Sequence, residues 1–328
     1  MNFSVFVRKY GVILMLAGLI IVFSILRGST FLTFNNFMNV ARQVSMLTIV
    51  AVGMTMVLLA GGIDLSVGSQ MAIISVSVAL LIRDHNVPPF AACLLGLGLT
   101  TLVGFINGML ITFTKIAPLI ATLAMQIILS GTSYIMCGGM PVYGLPGSIK
   151  AMAQNYVFGI VPIPVIIMVV IVLLGAFLLV KTYPGRYIRA IGSNEEATRL
   201  SGINVRFYRV LVYTISGFLA GFAGLILLGR VSSGQPSAGK GFEMDVLTAI
   251  VLGGVSVMGG KGKMSGAFLG VMIIGILNNG MSIMAINDYY QLVIKGVVLL
   301  IAVIFDSLQF LAVGKKKAAA VPVESAAK

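Results

Sequence analysis

Long apolar stretches follow one another from residue 11 to residue 313, cut by short interruptions rich in glycine, proline or charge. Their bounds fall near 11–26, 43–60, 67–82, 90–113, 117–137, 160–181, 208–230, 243–257, 265–284 and 291–313. A helix needs about 20 mainly apolar residues to cross the hydrocarbon core of a bilayer. The pattern therefore predicts an all-α polytopic membrane protein with about ten transmembrane helices. Barrel strands would alternate apolar and polar positions, and these runs do not. The first run follows Arg8 and Lys9 and has no A-x-A-like cleavage site behind it, so it is read as a retained span.

Composition and charge sharpen this picture. Of 328 residues, 59 % are hydrophobic and 9 % are charged, with a mean hydropathy of +1.07. A soluble domain carries about 25 % charged residues. A soluble enzyme, a nucleic-acid binder and a disordered chain are excluded. The net charge of +13 is then read as topology, because Lys and Arg collect on the cytoplasmic side. With a cytoplasmic N-terminus and ten spans, 15 of the 22 cations fall inside, six fall outside, and Lys295 lies within the last run. Both termini are expected in the cytoplasm. Residues 1–314 form one transmembrane domain, and residues 315–328, opening with Lys315, Lys316 and Lys317, form a flexible basic tail. Cys93 and Cys137 read as packing residues and the lone His85 as a loop residue, so no metal site is expected.

A faint echo joins the halves. Gly104-Phe-Ile-Asn107-Gly108-Met109 in the fourth run returns as Gly275-Ile-Leu-Asn278-Asn279-Gly280-Met281 in the ninth. An offset of five spans reverses direction, as an inverted repeat does. Short matches also arise by chance among glycine-rich helices.

The longest polar segment, 182–206, reads TYPGRYIRAIGSNEEATRLSGINVR. Pro184-Gly185 breaks the preceding helix. Ser193 or Asn194 can cap a new one, with Glu195 and Glu196 in its first turn, where the helix dipole favours acid. Arg199 follows, and Gly202 suits the left-handed position after the end. A two-turn helix over 194–201, lying across the membrane face, is expected. It either docks into another protein or is a solvated loop.

Here a family resemblance enters. AIGSNEEATRLSGINV (190–205) resembles the cytoplasmic coupling segment of bacterial sugar ABC-transporter permeases of the ribose type. AGGIDLSVGS (60–69), SSGQPSAGKGFEMD (232–245), VLGGVSVMGGKGKMSGAFLG (251–270) and LNNGMSIMAINDYYQLVIKGVVLLIAV (277–303) are similar to that family's other motifs, in the same order. At the fifth span, Leu119 and Ala124 depart from the family's usual Phe and Gly, and the stretch resembles the arabinose-type members more. The resemblance implies a type II importer-like fold and a homodimer in the bacterial inner membrane. It also implies a cytoplasmic ATPase on the coupling segment, an extracytoplasmic sugar-binding protein and a monosaccharide cargo. Asn194, Glu195, Glu196, Arg199 and Gly202 are then the ATPase-coupling residues.

The chain itself carries no phosphate-cradling loop. The nearest stretch, Gly259-Gly260-Lys261-Gly262-Lys263-Met264, has Met where Ser or Thr must meet Mg²⁺. No cofactor is expected in this chain, and ATP and Mg²⁺ would belong to the partner. Gly61, Gly62, Asp64, Ser66 and Gly68 make a structural motif between two apolar runs. It reads either as a broken helix beside a translocation path or as a short turn in which Asp64 caps the third span. Neutral polar side chains inside the runs can serve sugar hydroxyls: Gln70, Asn107, Thr122, Gln126, Asn278 and Asn279, with Ser216 and Ser282 beside them. Each can equally be glue between helices. Gln235, Lys240, Glu243 and Asp245 read as an outer rim for a binding protein or as a solvated loop. Lys295 is expected to snorkel or to pair with Asp288.

The leading reading is the permease subunit of an ATP-driven monosaccharide importer. The alternatives are an ion-coupled sugar symporter, or an ABC permease for a nucleoside or furanose signal molecule. A symporter commonly needs acids within the membrane. Asp64, Asp245 and Asp306 are the few available, all near span ends. A membrane enzyme lacks any nucleophile–base pair.

Overall fold

The computed structural model describes the backbone of residues 3–319 and the side chains of residues 11–304. Every predicted run contains a helix: α1 (Phe3–Phe31), α2 (Phe34–Leu59), α3 (Val67–Arg83), α4 (Pro89–Thr114), α5 (Pro118–Met136), α7 (Ile163–Lys181), α10 (Val205–Val231), α11 (Phe242–Leu252), α12 (Met264–Ile283) and α13 (Asp288–Ala319). Among the described residues, seven helices are long and apolar enough to cross a bilayer. Helix α3 has 17 residues, and α11 has 11, too few to cross alone. The run at 243–257 is thus a half-length helix followed by a turn, because Gly253 and Gly254 end it while its apolar composition continues. The last helix runs through Lys315–Lys317 to Ala319, and residues 320–328 lie outside the described part. Asp306 likewise lies outside the described side chains.

Local chemistry sets the helix starts. Thr33 accepts from the Asn36 amide at the head of α2 (3.3 Å), and Asn204 accepts from the Phe207 amide at the head of α10 (3.1 Å). Helices α4, α5 and α7 carry proline in the first turn, where no backbone donor is lost. Packing then sorts the helices. Of the most apolar window of α2, 89 % is buried by the rest of the chain, against 6 % for α1, so α2 is the central post and α1 a peripheral one. Helix α10 packs along α4, α2 and α3, while α12 packs along α2, α11 and α1. The two echoed segments lie in α4 and α12. Gly104 and Gly108 bring α4 onto the α10 backbone, and Gly275 brings α12 onto Val44 of α2. Those neighbours are themselves five runs apart.

At one end of the bundle, α6 (Gly147–Gln154) covers the end of α10, and a two-stranded hairpin, β1 (Tyr156–Val157) with β2 (Val161–Pro162), packs on α2 and α7. Gln154 Nε2 donates to the carbonyls of Gly229 and Arg230 there (3.0 and 3.2 Å). At the other end sit α8 (Tyr183–Ser193) and α9 (Glu195–Leu200). Helix α8 was not expected. Pro184-Gly185 does end α7, but Pro184 also fits the first turn of a new helix capped by Thr182, whose hydroxyl accepts from Gly185 N (3.5 Å).

Candidate translocation path and coupling surface

The joint between α2 and α3 is largely buried, with Gly61 at the surface. Asp64 is fully buried. Its Oδ1 accepts from the Ser66 amide (3.1 Å) and the Ser66 hydroxyl (2.6 Å), and its Oδ2 accepts from the Ser216 hydroxyl of α10 (2.8 Å). Ser66 Oγ in turn accepts from Gln70 Nε2 and Asn107 Nδ2, each at 2.9 Å. Thr122 and Tyr213 both donate to the Ile63 carbonyl (3.2 and 3.4 Å). Asp64 therefore does not cap α3, whose N-cap position is Ser66. The carboxylate instead ties the broken helix to α10. The short-turn reading gave Asp64 only the amides at the start of α3; the carboxylate accepts the Ser66 amide and also the Ser216 hydroxyl of α10. Gln70, Asn107 and Thr122 belong to this knot.

A cavity of about 560 Å³ lies next to it, between α3, α5 and the segment before α11. Ligand pockets commonly enclose roughly 300–1,000 Å³. Ser69, Gln126, Ser130, Tyr134, Lys240 and Glu243 give its wall polar groups. One side is formed by residues 232–241, which are not helical. This segment begins at the α6 end, where Val142 and Gly234 pair their backbones, and Gly234 packs on Ala79. It then follows α3 down to Gly239, which packs on Gly68. Eleven helical residues separate Ala79 from Gly68, a descent of about 16 Å at 1.5 Å per residue. Non-helical backbone at membrane depth is tolerated where it is buried in protein or lines a water-filled cavity. This segment is partly buried and lines the cavity.

Glu243 opens α11 and is 4 % exposed. Gln126 Nε2 of α5 donates to its Oε1 (2.9 Å), whereas its Oε2 has no partner. Gly68 permits this position: a Cβ there would fall 2.2 Å from Oε2 and 2.4 Å from the Gly239 carbonyl. Of the six residues offered as a path, Gln126 alone lines the cavity. Asn279 exchanges amide hydrogen bonds with Asn36 (2.8 and 3.1 Å), and Asn278 donates to Asp245 (3.2 Å). Ser282 donates to the Asn278 carbonyl within α12 (2.9 Å).

The expected outer rim is divided by depth. Lys240 is exposed at the cavity, and Gln235 is half-buried beside Ser233. Asp245 faces α13 and meets Lys295 Nζ at 2.8 Å. Lys295 neither snorkels nor pairs with Asp288. The acid that reaches it comes from 50 residues upstream, at a depth where an unpaired charge is costly.

At the opposite end, Asn194 Oδ1 accepts from the Ala197 amide (2.9 Å) and starts α9, one residue later than expected. Gly202 takes φ +80° after its end. Glu196 pairs with Arg199, and Glu195 pairs with Arg209 of α10. The Arg199 guanidinium holds the Glu196 carboxyl below its ordinary pKa. Both acids are thus engaged within the chain, while Leu200 stands 76 % exposed. Helix α8 lies directly on the joint. A Cβ on Gly192 would fall 1.9 Å from the Leu59 carbonyl, and Gly260 N donates to that same carbonyl (3.0 Å).

Comparison with known proteins decides the family. The model of the branched-chain amino acid transport system / permease component family matches residues 36–303. The chain belongs to this family. Among its relatives, the ribose import permease protein RbsC of Bacillus subtilis (strain 168) is 43 % identical over 307 residues, 93 % of this chain and 94 % of that protein. RbsC of Escherichia coli (strain K12) is 42 % identical, covering 84 % of this chain and 87 % of its own. The D-allose transport system permease protein AlsC of the same strain is 36 % identical, covering 94 % of each. No solved structure matches. As a member of this permease family, with seven helices among the described residues long and apolar enough to cross a bilayer, the chain is a multi-pass membrane transport subunit.

Proposed function

We propose that this permease is the transmembrane subunit of an ATP-driven importer of a monosaccharide in the bacterial inner membrane. The observation that carries the cargo path is the polar, non-helical segment 232–241 beside a cavity of about 560 Å³. Ribose and allose appear in the names of the relatives above. The cavity wall agrees with a neutral polyol, since it offers hydroxyls, an amide and one carboxylate. A branched-chain amino acid would place its own carboxylate beside Glu243.

The end with α8 and α9 faces the cytoplasm in this reading. It gathers Lys115, Lys181, Arg186, Arg189, Lys261 and Lys263, as the positive-inside rule requires. A partner ATPase, which binds ATP and Mg²⁺, sits on α9 with Leu200 as its anchor. Residues 194–202 give that anchor a capped, ion-paired base. A second copy of the chain closes the open side of the cavity along α5, whose Gln126, Ser130 and Tyr134 follow one another at helical spacing. An extracytoplasmic sugar-binding protein delivers cargo to the opposite end, near Gln235 and Lys240.

Uptake of labelled pentoses and hexoses into deletion cells tests this, with and without the ATPase, beside Leu200→Asp. Uptake that needs the ATPase and falls roughly tenfold or more in Leu200→Asp, at unchanged membrane level, is expected for a buried anchor. Uptake without any ATPase that collapses with an ionophore overturns the reading in favour of a symporter.

A further inference from the structure

Glu243 is a buried carboxylate in the wall of the cavity, and a side-chain donor reaches only one of its oxygens. A carboxylate at membrane depth is costly and marks function by default. Its first oxygen is held by Gln126 across the cavity, from an element 117 residues away in sequence. Its second lies against Gly68 without a donor, in the wall of the same cavity. The start of α3 and the first turn of α11 both converge on it, and helix starts favour negative charge. Among the described side chains, Gln126 alone donates to this carboxylate. An ionised carboxylate accepts only, and an amide can donate and accept.

We propose that Glu243 and Gln126 are the pair that reads the hydroxyls of the passing sugar. A hydroxyl is both donor and acceptor, so it can enter this pair without leaving a group unsatisfied. One hydroxyl donates to Glu243, and Gln126 turns its amide from Glu243 to an adjacent hydroxyl oxygen. Between passages the Gln126–Glu243 bond straps α5 to the half-length helix α11 and holds the cavity in shape. This assignment rests on the reading of the cavity as a sugar path. It moves Glu243 from the outer rim expected from sequence to the specificity-determining position.

The test uses the full transporter, with its ATPase and binding protein, in proteoliposomes. Uptake of D-ribose is compared with that of its monodeoxy analogues for wild type, Glu243→Gln and Gln126→Met. Each variant is reported as its analogue-to-parent ratio divided by the wild-type ratio, which cancels the selectivity of the binding protein. A hydrogen bond to a charged group predicts that this quotient changes by about tenfold at one hydroxyl position in both variants. A purely structural role lowers all sugars alike and leaves every quotient at one, which overturns the assignment. If Glu243→Gln does not reach the membrane, Gln126→Met carries the same measurement. Wild type that moves no sugar at all overturns the path itself, and the assignment with it.

Discussion

Two carboxylates sit deep in this permease, and their surroundings are opposite. Asp64 is saturated: two hydroxyls and an amide donate to it, and two side-chain amides hold the Ser66 hydroxyl that reaches it. Glu243 receives one side-chain amide, and its other oxygen, buried against Gly68 in the cavity wall, has no side-chain donor. Both bear the same cost of leaving water. Where every acceptor is filled, the charge fixes structure, here the joint of α2, α3 and α10. Where one oxygen has no side-chain donor, the acid is the candidate to meet cargo.

Removing Asp64 is the strongest way to test this contrast. Asp64→Ala leaves the hydroxyls of Ser66 and Ser216 and one amide without an acceptor. A loss of about 3 kcal/mol or more is expected, since each orphaned buried group costs about 1–3 kcal/mol. Thermal unfolding in detergent should show it, together with reduced membrane level. Asp64→Asn should recover part of it. Unchanged stability in Asp64→Ala would erase the distinction between the two acids.

The Asp245–Lys295 pair is intermediate, because each side chain keeps some exposure, 16 % and 24 %. Lys295→Met should cost about 1–3 kcal/mol by leaving Asp245 with Asn278 as its remaining donor. The double variant Asp245→Asn/Lys295→Met should recover most of that loss in the same melts. A double variant as poor as the single one would mean that packing, rather than charge, is at stake.

At the exposed extreme, Glu196→Gln should leave stability unchanged, because solvent screens its pair with Arg199. The sign of the pH effect is fixed. Arg199 lowers the carboxyl pKa in the folded state, so the pair is intact above the ordinary glutamate value and is lost as pH falls through the lowered one. Melts at acid and neutral pH on wild type and Glu196→Gln should differ by no resolvable amount.

Much of the fold was legible because lipid demands long apolar runs, and each run holds a helix. Two features were not. The apolar stretch at 243–257 continues past Gly253, so hydropathy cannot tell a half-length helix from a full one. The polar segment 232–241 has the composition of a surface loop, yet it descends along α3. Helix α9 was readable from local capping chemistry at Asn194 and Gly202. The partnerships of Glu243 with Gln126 and of Asp245 with Lys295 join residues 117 and 50 positions apart. No local spacing encodes such pairs. The Asp64 motif stood out as a buried acid among glycines, but its hydroxyl from Ser216 comes from the seventh run.

The contact of Gly192 with the Leu59 carbonyl and with Gly260 has a mechanical consequence. Main chain meets main chain there with no side chain between. Long side chains in a linkage can change rotamer and absorb displacement, whereas close-packed backbone compresses very little. A push on α8 therefore reaches the end of α2 and the turn at 259–260 without slack. The linkage behaves as a lever with no backlash, so its travel at the membrane end is set by the stroke applied to α8 and α9.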